Sequence, residues 1–417
     1  MNIWIVNHYA IPPSMGGLVR HYYFSKYLQK KGHTVRIFTS SKIHNTDINM
    51  ITDKALYKEK KIDGVEYTFV RSRNYKGNGI DRIINMIDFP FKVWRCMSKF
   101  AKLEKPDVIY TSSPDLLVAF SALLFSKKKR VASLVEVRDL WPESIVEYSG
   151  MSRKNLIIRV LYQLEKLIYV WADRLIFTFP GGKDYIRDKR WEKKIDLNKV
   201  GYINNGVDLE EFNINREKYK WEDPDLEEDN IFKIVYVGSV RLVNHLGDVI
   251  EAAALLKKRN IANIKILVFG DGTERAILEK KCKEENLPVS FKGRVEKKYI
   301  PYILSCANLN LINVKKNNLV RYGCSWNKLF DYIAAGKPIL SNLPTNYDLI
   351  QTYNLGVSKC FTKEEYADEM IKFAQMPKEK YDQYAARFEL IKGEFDYKNL
   401  TDKLEGILIE AVGENIG

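Results

Sequence analysis

The sequence predicts an α/β protein built from two doubly wound domains. Its 417 residues exceed one ordinary hydrophobic core, so two domains of about 200 residues each are expected. Short apolar stretches rich in β-branched residues alternate with longer amphipathic stretches through both halves of the chain. This alternation is typical of parallel sheets whose strands are joined by helical crossovers.

Cysteine usage and hydropathy exclude several classes of protein. The five cysteines form no C-x-x-C pair, which disfavours a disulfide framework and a zinc site and indicates a reducing compartment. The opening MNIWIV predicts a buried strand and not a leader peptide. The apolar run at 116–125 is about half the length of a membrane span, so we expect a soluble or peripheral protein.

The net charge of +14 is confined to the first half of the chain. Residues 1–208 carry 36 Lys and Arg against 21 Asp and Glu, a balance of +15, whereas residues 209–417 carry 31 against 32, a balance of −1. This asymmetry suggests an anionic partner, with nucleic acid and membrane phosphate as the two candidates. A solvated basic surface without a partner is the alternative.

The first domain is predicted over residues 1–208. The polar, aperiodic stretch 42–61 predicts a surface excursion between two of its strands. The strands of this domain are predicted at 2–6, 34–39, 65–71, 107–111, 131–137, 174–179 and, as a strand and turn, 200–208.

The loop after the first strand contains a candidate ligand site. Gly16 and Gly17 would let the backbone approach a ligand closely, and the following helix start offers amide groups to an anion. Arg20 and His21, just inside that helix, suit an anionic or sugar ligand. A tight turn with solvated basic residues explains the same pattern.

Two helices of the first domain have unusual surfaces. Within 82–103, four bases recur at helical spacing while aromatic and apolar side chains occupy much of the rest, as in a helix lying on an anionic membrane. A helix that packs its aromatics into its own domain accounts for the pattern equally well. The helix at 156–171 has a narrow polar stripe, so it must be buried on most faces or meet another surface.

The segment between the domains is charged and aperiodic. Residues 209–230 therefore predict an interdomain connection. Asp223 and Asp225 form a D-x-D, the spacing of metal-dependent sugar transferases, but Pro224 and the missing preceding strand favour a linker.

The second domain, predicted over 209–385, repeats the alternation and contains a further candidate site. A helix capped by Asn327 and ended by Gly336 lies between a loop and a strand at 339–340. Lys328 in its first turn adds a positive charge to the amide end of the helix, which favours phosphate. Asp331, one turn later, can accept hydrogen bonds from sugar hydroxyls. Residues 364–376 and 378–411 predict terminal helices, and 386–417 is assigned to a final helix that returns to the first domain.

Several short motifs span nearly the whole chain: PP-x-x-GG at 12–17, RDLWPES at 138–144, NNGVD at 204–208, VGSVR at 237–241, FGDGTE at 269–274, FKGRV at 291–295 and NKLFDYIAAGKP at 327–338. Their order resembles family 4 retaining glycosyltransferases, which have the GT-B fold of two Rossmann-like domains facing across a cleft. The RDLWPES and KLFDY variants resemble the branch that builds bacterial O-antigen, capsule and exopolysaccharide units, including aminosugar transferases.

The resemblance implies a donor site in the second domain. Arg241 would neutralise the departing diphosphate, supported by Lys328 and amides of the loops near Gly238 and Leu329. Asp331 occupies the position of the acidic residue that binds the nucleotide ribose.

Further roles follow from the same resemblance. Backbone around Arg294 and Val295 would meet the base, and Gly16 and Gly17 would border the diphosphate and the acceptor. Arg20 and His21 would lie on the acceptor side of the site. Asp139, with Arg138, lies where the family often has a His-Asp pair near the transferred sugar.

Two positions depart from the family pattern. Leu246 stands where the family commonly has a lysine, which leaves His245 as a candidate substitute. Gly323 stands where the family usually has a glutamate, so the contacts to the donor sugar are undefined.

These observations predict a cytoplasmic, peripheral transferase. It would move a sugar from a nucleotide-sugar, UDP-linked, to a polyprenyl-diphosphate-linked or other glycan acceptor with retention, without metal or cofactor. Residues 1–208 would contact an anionic membrane, and no nucleic-acid partner is expected. The alternatives are a UDP-sugar 2-epimerase of the same shape and a basic nucleic-acid-binding protein, although the chain has no recognisable nucleic-acid-binding module.

Overall fold

The computed structural model of this chain describes residues 1–44, 46–77 and 79–416, with side chains up to residue 414. These residues form two compact units, each with its own sheet. The first unit comprises Met1–Asn204 and the chain from Tyr397 onward, and the second comprises Asn205–Asp396.

The first unit contains an eight-stranded sheet. Its strands are β1 Asn2–Val6, β2 Thr34–Ser40, β3 Tyr57–Ile62, β4 Val65–Val70, β5 Val108–Ser112, β6 Ala132–Val137, β7 Arg174–Phe177 and β8 Val200–Tyr202. Their order is β3-β4-β2-β1-β5-β6-β7-β8. β3 pairs with β4 in antiparallel fashion, and the other neighbours pair in parallel.

Helices cover both faces of this sheet because β1 is apolar on both sides. The helices up to residue 204 are α1 Arg20–Lys30, α2 Ile80–Phe100, α3 Leu116–Lys129, α4 Glu143–Ser149, α5 Leu156–Trp171 and α6 Gly182–Asp188. Ile3 and Ile5 pack into one core with α1, whereas Trp4 and Val6 pack into another with α2 and α3.

The predicted surface excursion at 42–61 is wrong at its end, where β3 begins. Its sequence, YKEKKI, is mostly exposed and charged, so neither periodicity nor hydrophobicity reveals a strand. β3 lies at the edge of the sheet, where charged side chains are tolerated and discourage pairing with another chain.

The second unit contains a parallel sheet of six strands in the order β11-β10-β9-β12-β13-β14. These strands are β9 Phe232–Val237, β10 Ile264–Phe269, β11 Val289–Gly293, β12 Leu309–Ile312, β13 Ile339–Ser341 and β14 Gly356–Ser358. The helices are α7 Leu209–Lys218, α8 Pro224–Glu227, α9 Gly247–Lys258, α10 Arg275–Glu284, α11 Ile300–Ser305, α12 Asn327–Ala335, α13 Leu349–Thr352, α14 Lys363–Ala374 and α15 Lys378–Ile391.

The predicted connection at 209–230 instead contains two helices. Asp208 caps α7 by accepting a hydrogen bond from the Glu211 amide at 3.0 Å, and Phe212 is buried in the core of the second unit. The D-x-D aspartates are ion-paired with lysines: Lys292 Nζ lies 2.6 Å from a carboxylate oxygen of each. These two carboxylates are therefore already neutralised within the unit.

The single helix predicted over 378–411 is two helices separated by a 3₁₀ turn at Lys392–Phe395. Phe388 and Ile391 of α15 are buried in the second unit, which therefore extends beyond the predicted limit of 385. The last helix, α16 Tyr397–Ile416, packs against α1 and buries Leu404 in the core of the first unit.

No helix among the described residues has both the length and the apolar character needed to cross a membrane.

Candidate functional site

The carboxyl edge of the second sheet is closed by glycines in tight contact. The Gly238 amide donates to the Phe269 carbonyl at 2.9 Å, and the Gly270 amide donates to the Gly293 carbonyl at 2.7 Å. A Cβ on Gly270 would lie 1.7 Å from the Gly238 carbonyl oxygen, at a positive φ of 151°. The loops after β9, β10 and β11 therefore pack directly on one another at Gly238, Gly270 and Gly293. These three residues are called the glycine layer, because their close contacts require glycine.

Lys328 lies beside this layer, in the first turn of α12. Its Nζ donates to the Tyr236 hydroxyl at 3.0 Å, lies 3.5 Å from Asn244 Oδ1 and stands 4.3 Å over the Tyr236 ring. No carboxylate in the described part of the chain pairs with it. Burial of the half-buried side chain lowers the pKa of Lys328 to about 7. An anion at this position would supply the missing negative charge.

Arg241 follows the same loop. Its side chain is exposed, and no ion pair to it is formed within the described ranges. Asn244 connects this loop to Lys328, because its side-chain amide also donates to the Ser239 carbonyl at 2.7 Å. Two cations without carboxylate partners thus belong to one loop–helix pair.

The remaining donor-site candidates differ in which of their groups a ligand could reach. Asp331 is half-buried, and burial raises the pKa of its carboxyl while Lys297 opposes the rise. The Leu329 side chain is buried in the core, so only its backbone is available to a ligand. Arg294 is exposed after β11, and Val295 packs partly against the core.

Both departures from the family pattern have a structural explanation. Leu246 is buried at the start of α9, so a core side chain occupies the place of the lysine. His245 Nδ1 lies 2.9 Å from Asp248 Oδ2, which gives the imidazole an acidic partner. Gly323 ends a 3₁₀ turn with a φ of 90°, a conformation that disfavours glutamate.

The Asn327 cap is a wrong prediction. Helix α12 starts at Asn327 itself, and its cap residue Trp326 makes no side-chain cap. The C-terminal signal is confirmed, because Gly336 adopts a left-handed φ of 70°.

In the first unit the two glycines of the first loop are not equivalent. Gly16 has a φ of 150°, and a Cβ there would lie 2.8 Å from the Ile11 side chain. Gly17 has open space around it. The positive φ therefore favours glycine at position 16, and the end of the Ile11 side chain would have to move to admit a Cβ.

Arg20 and His21 were predicted to lie on the acceptor side of the site. In the structure, both side chains instead belong to a buried charge network. Arg20 Nε donates to Glu136 Oε2 at 2.7 Å, and its Nη2 donates to the Ile203 carbonyl at 2.8 Å. His21 Nε2 lies 3.3 Å from Glu136 Oε1, and burial lowers the pKa of this imidazole. Arg20 and His21 are 1% and 0% exposed, so neither side chain reaches a ligand in solvent.

Arg138 and Asp139 lie at the carboxyl end of β6. The Arg138 amide donates to Ser113 Oγ at 2.9 Å, which fixes the start of this loop. The Arg138 side chain is half-buried and its charge helps to lower the pKa of Glu136, whereas the Asp139 side chain is exposed. Asp139 is thus available to solvent at the edge where α/β domains bind ligands.

Sequence reasoning missed a buried histidine network at the same edge. His8 Nδ1 lies 2.7 Å from Asp115 Oδ2, and His8 Nε2 lies 2.7 Å from Asn85 Oδ1. The Asn85 amide group donates to the Arg73 carbonyl at 2.6 Å, so its oxygen faces His8. Both imidazole nitrogens therefore lie within hydrogen-bond distance of a side-chain oxygen. The signal in the sequence is a histidine two residues after the first strand.

The residues described here contain no cluster of three or more His, Cys, Asp or Glu side chains arranged to hold a metal ion.

Two family models match successive parts of the chain. Residues 15–211 match the family model "Glycosyltransferase Family 4", and residues 216–387 match "Glycosyl transferases group 1". A search of curated proteins gave no match.

Solved structures share the fold of the whole chain. Sucrose-phosphate synthase from Thermosynechococcus elongatus is 16% identical, with a TM-score of 0.71 and coverage of 99% of this chain and 100% of that one. The Anabaena protein Alr3699/HepE, in complex with UDP and glucose, is 14% identical with a TM-score of 0.62, covering 98% and 100%. WaaG, a glycosyltransferase of lipopolysaccharide biosynthesis, is 14% identical with a TM-score of 0.64, covering 97% and 99%.

Proposed function

Because this chain belongs to the glycosyltransferases and has the GT-B fold, we propose that it transfers a sugar from a UDP-linked donor with retention. The observation that carries the proposal is Lys328, a half-buried ammonium without a carboxylate partner beside the glycine layer. Such a group suits a diphosphate. The relative from Anabaena, solved with UDP and glucose, supports UDP as the nucleotide.

The leaving group is the centre of the proposed mechanism. The bond between the anomeric carbon and the phosphate oxygen breaks while the acceptor oxygen bonds to the same carbon from the same face. The acceptor proton passes to the departing diphosphate. Arg241, Lys328 and loop amides are placed in this proposal to stabilise the charge that develops on the leaving group, so the step needs no metal.

The other site residues take supporting roles in the proposal. Asp331 accepts hydrogen bonds from the ribose, and backbone near Arg294 and Val295 meets the base. Asp139 acts as a positioning or electrostatic group near the transferred sugar and not as a base. The contacts that select the sugar are left open, because Gly323 supplies no carboxylate.

The proposed acceptor is a polyprenyl-diphosphate-linked or other glycan used in cell-surface polysaccharide synthesis. The excess charge of +15 in residues 1–208 supports an anionic, lipid-linked acceptor and contact with the cytoplasmic face of a membrane. The proposed sugar is an N-acetylated aminosugar. This choice rests only on the resemblance of the RDLWPES and KLFDY motifs to aminosugar transferases.

Substitution of Arg241 tests the leaving-group site. We expect Arg241→Ala to slow transfer by about 10²–10³-fold, equivalent to roughly 2.7–4 kcal/mol in the barrier, with the fold unchanged because the side chain is exposed. Turnover is measured as UDP release with and without acceptor. The matched control is Arg216→Ala, a partly exposed arginine on α7.

The same assay separates the alternatives. UDP release that requires an acceptor supports transfer, whereas 2-epimerisation of the donor without an acceptor supports an epimerase. Turnover of Arg241→Ala within a few-fold of the parent contradicts the assignment of the leaving-group site.

A further inference from the structure

Helix α5 is apolar on its exposed side. Leu156 is 73% exposed, Ile157 65% and Val160 59%, although Glu165 on the same helix is fully buried. Glu165 accepts hydrogen bonds from the Tyr169 hydroxyl at 2.9 Å and the Tyr185 hydroxyl at 3.0 Å. The helix is thus fixed by buried polar contacts while its first two turns present apolar side chains to solvent.

Helix α2 repeats this arrangement in its first three turns. Its exposed apolar residues are spaced three or four apart, which places them on one side of the helix. They are Ile80 (76% exposed), Ile83 (54%), Ile84 (36%), Ile87 (50%) and Phe91 (70%). Beyond Phe91, where the sequence left membrane contact and inward packing as alternatives, α2 packs inward, since Met97 and Phe100 are core residues.

Both apolar segments start at the carboxyl edge of the first sheet. Asn85 of α2 bonds His8, two residues after β1 ends, and Glu143, at the start of α4, accepts from Arg153 Nε at 3.1 Å just before α5. Helix α3 contacts both helices: Ser121 Oγ donates to the Pro90 carbonyl at 3.0 Å, and Phe120 stacks on Trp171 at 5.9 Å.

α2, α3 and α5 therefore form one layer on the sheet. The edge surface is defined here as Ile80, Ile83, Ile84, Ile87 and Phe91 of α2 with Leu156, Ile157 and Val160 of α5. It occupies one end of that layer.

The chain around the edge surface is strongly basic. Residues 71–99 contain seven Lys and Arg against two Asp, and residues 151–160 contain three against none. Lys76, Arg95, Lys154 and Arg159 are exposed. Apolar side chains flanked by cations match a bilayer whose headgroups are anionic.

We infer that the edge surface inserts into an anionic lipid bilayer and holds the carboxyl edge of the first sheet against the headgroups. A second copy of the chain is the weaker occupant, because pairing would bring segments with net charges of +5 and +3 against their own kind. The inference rests on the proposed function, because a lipid-linked acceptor lies at the membrane surface. Insertion of the edge surface would hold the carboxyl edge of the first sheet close to that acceptor.

Vesicle binding of the full chain tests the inference. We expect cosedimentation with vesicles of phosphatidylglycerol and phosphatidylethanolamine, weakened by salt, and little binding to pure phosphatidylcholine. Ile83→Gln with Ile87→Gln, and separately Leu156→Gln with Ile157→Gln, should each lower the partition coefficient at least about tenfold, because two inserted apolar side chains are lost.

The matched control is Ile277→Gln on α10, since Ile277 is 69% exposed in the second unit. It should partition as the parent does. Near-UV circular dichroism checks that each variant is folded. We expect parent-like spectra, because all the substituted side chains are exposed.

Parent-like partitioning of both double variants overturns the inference, as does a change from oligomer to monomer with vesicle binding unchanged. The proposed function fails separately. Vesicle binding without any binding of UDP or UDP-sugars contradicts the transferase proposal alone. Acceptor-dependent UDP release without vesicle binding contradicts only the inference that the edge surface inserts into a bilayer.

Discussion

Lys328 is the side chain whose chemistry depends most on its surroundings. The Tyr236 hydroxyl and ring and the Asn244 amide oxygen solvate its ammonium group, but no carboxylate in the described structure neutralises it. A cation held in this way costs stability in the empty protein and gains it when an anion binds.

We expect Lys328→Met to weaken UDP binding about tenfold or more, the usual worth of a hydrogen bond to a charged group, of about 1.5–3 kcal/mol. Stability should not fall at neutral pH. The folded pKa of about 7 lies below the ordinary value of 10.5, so between these values the unfolded chain binds more protons and the stability of the parent rises with pH. Removing the amine should flatten that rise.

Calorimetry with UDP and denaturant unfolding from about pH 7 to pH 10 measure both effects. The matched control is Lys280→Met, an exposed lysine on α10, which should change neither. UDP affinity within about twofold of the parent would show that Lys328 is not at the anion site.

At the level of residues, the sequence predicted where a side chain lies along a helix better than it predicted whether that side chain is buried and what it contacts. The spacing Lys-x₇-Gly correctly put Lys328 and Gly336 at the two ends of one helix. It did not reveal that Arg20 and His21 meet Glu136, more than a hundred positions away, because burial depends on strand order. A basic residue at a helix start therefore cannot be assigned to a ligand until its partners are known.

The glycine layer is the element that positions the candidate donor site. We expect Gly270→Ala to destabilise the second unit by about 2 kcal/mol or more, because its Cβ would overlap the Gly238 carbonyl oxygen at an unfavourable φ. UDP affinity should fall with stability, since the displaced loop carries Gly238 and leads to Arg241.

Gly247→Ala is the matched control. It lies in the same unit at the start of α9, and outside its chain neighbours and its own helix backbone no described heavy atom lies within 4 Å of its Cβ position. Urea unfolding should show no loss of stability, or a gain of up to about 1 kcal/mol. Equal midpoints for Gly270→Ala and the parent would contradict the packing argument.

Element prediction succeeded where one side of an element is buried. The apolar runs gave α5 and β1 with matching bounds. It failed at β3 and α7, whose sequences are charged on most sides and are stabilised by neighbours, β4 for one and the Asp208 cap for the other. Periodicity alone also cannot show whether the apolar side of a helix faces the core, as α5 demonstrates.

At the scale of the whole molecule, the first unit is assembled from both ends of the chain. Leu400, Leu404 and Leu408 of α16 are buried against the core that contains Ile3 and Tyr23. Tyr397, at the start of that helix, stacks on Tyr23 at 4.8 Å. The last helix is therefore part of the core of the first unit.

We expect Leu404→Ala to cost about 2–5 kcal/mol, because it leaves a cavity in that core. Hydrogen exchange should accelerate in β1 and β2, which lie far earlier in the sequence, and stay unchanged in β9 and β10. The comparison variant is Ile409→Ala on the same helix, which is 55% exposed and should change stability by less than about 0.5 kcal/mol. Faster exchange confined to the second unit would contradict the assignment of α16.

The return of α16 also sets the order in which the molecule can be completed during synthesis. Residues 1–204 leave the ribosome with the surface of α1 that will receive Leu400, Leu404 and Leu408 still uncovered. The second unit, continuous from Asn205 to Asp396, emerges in full before those leucines do. A nascent chain must therefore carry an unfinished first unit for nearly two hundred codons, a period in which a chaperone has an apolar surface to bind.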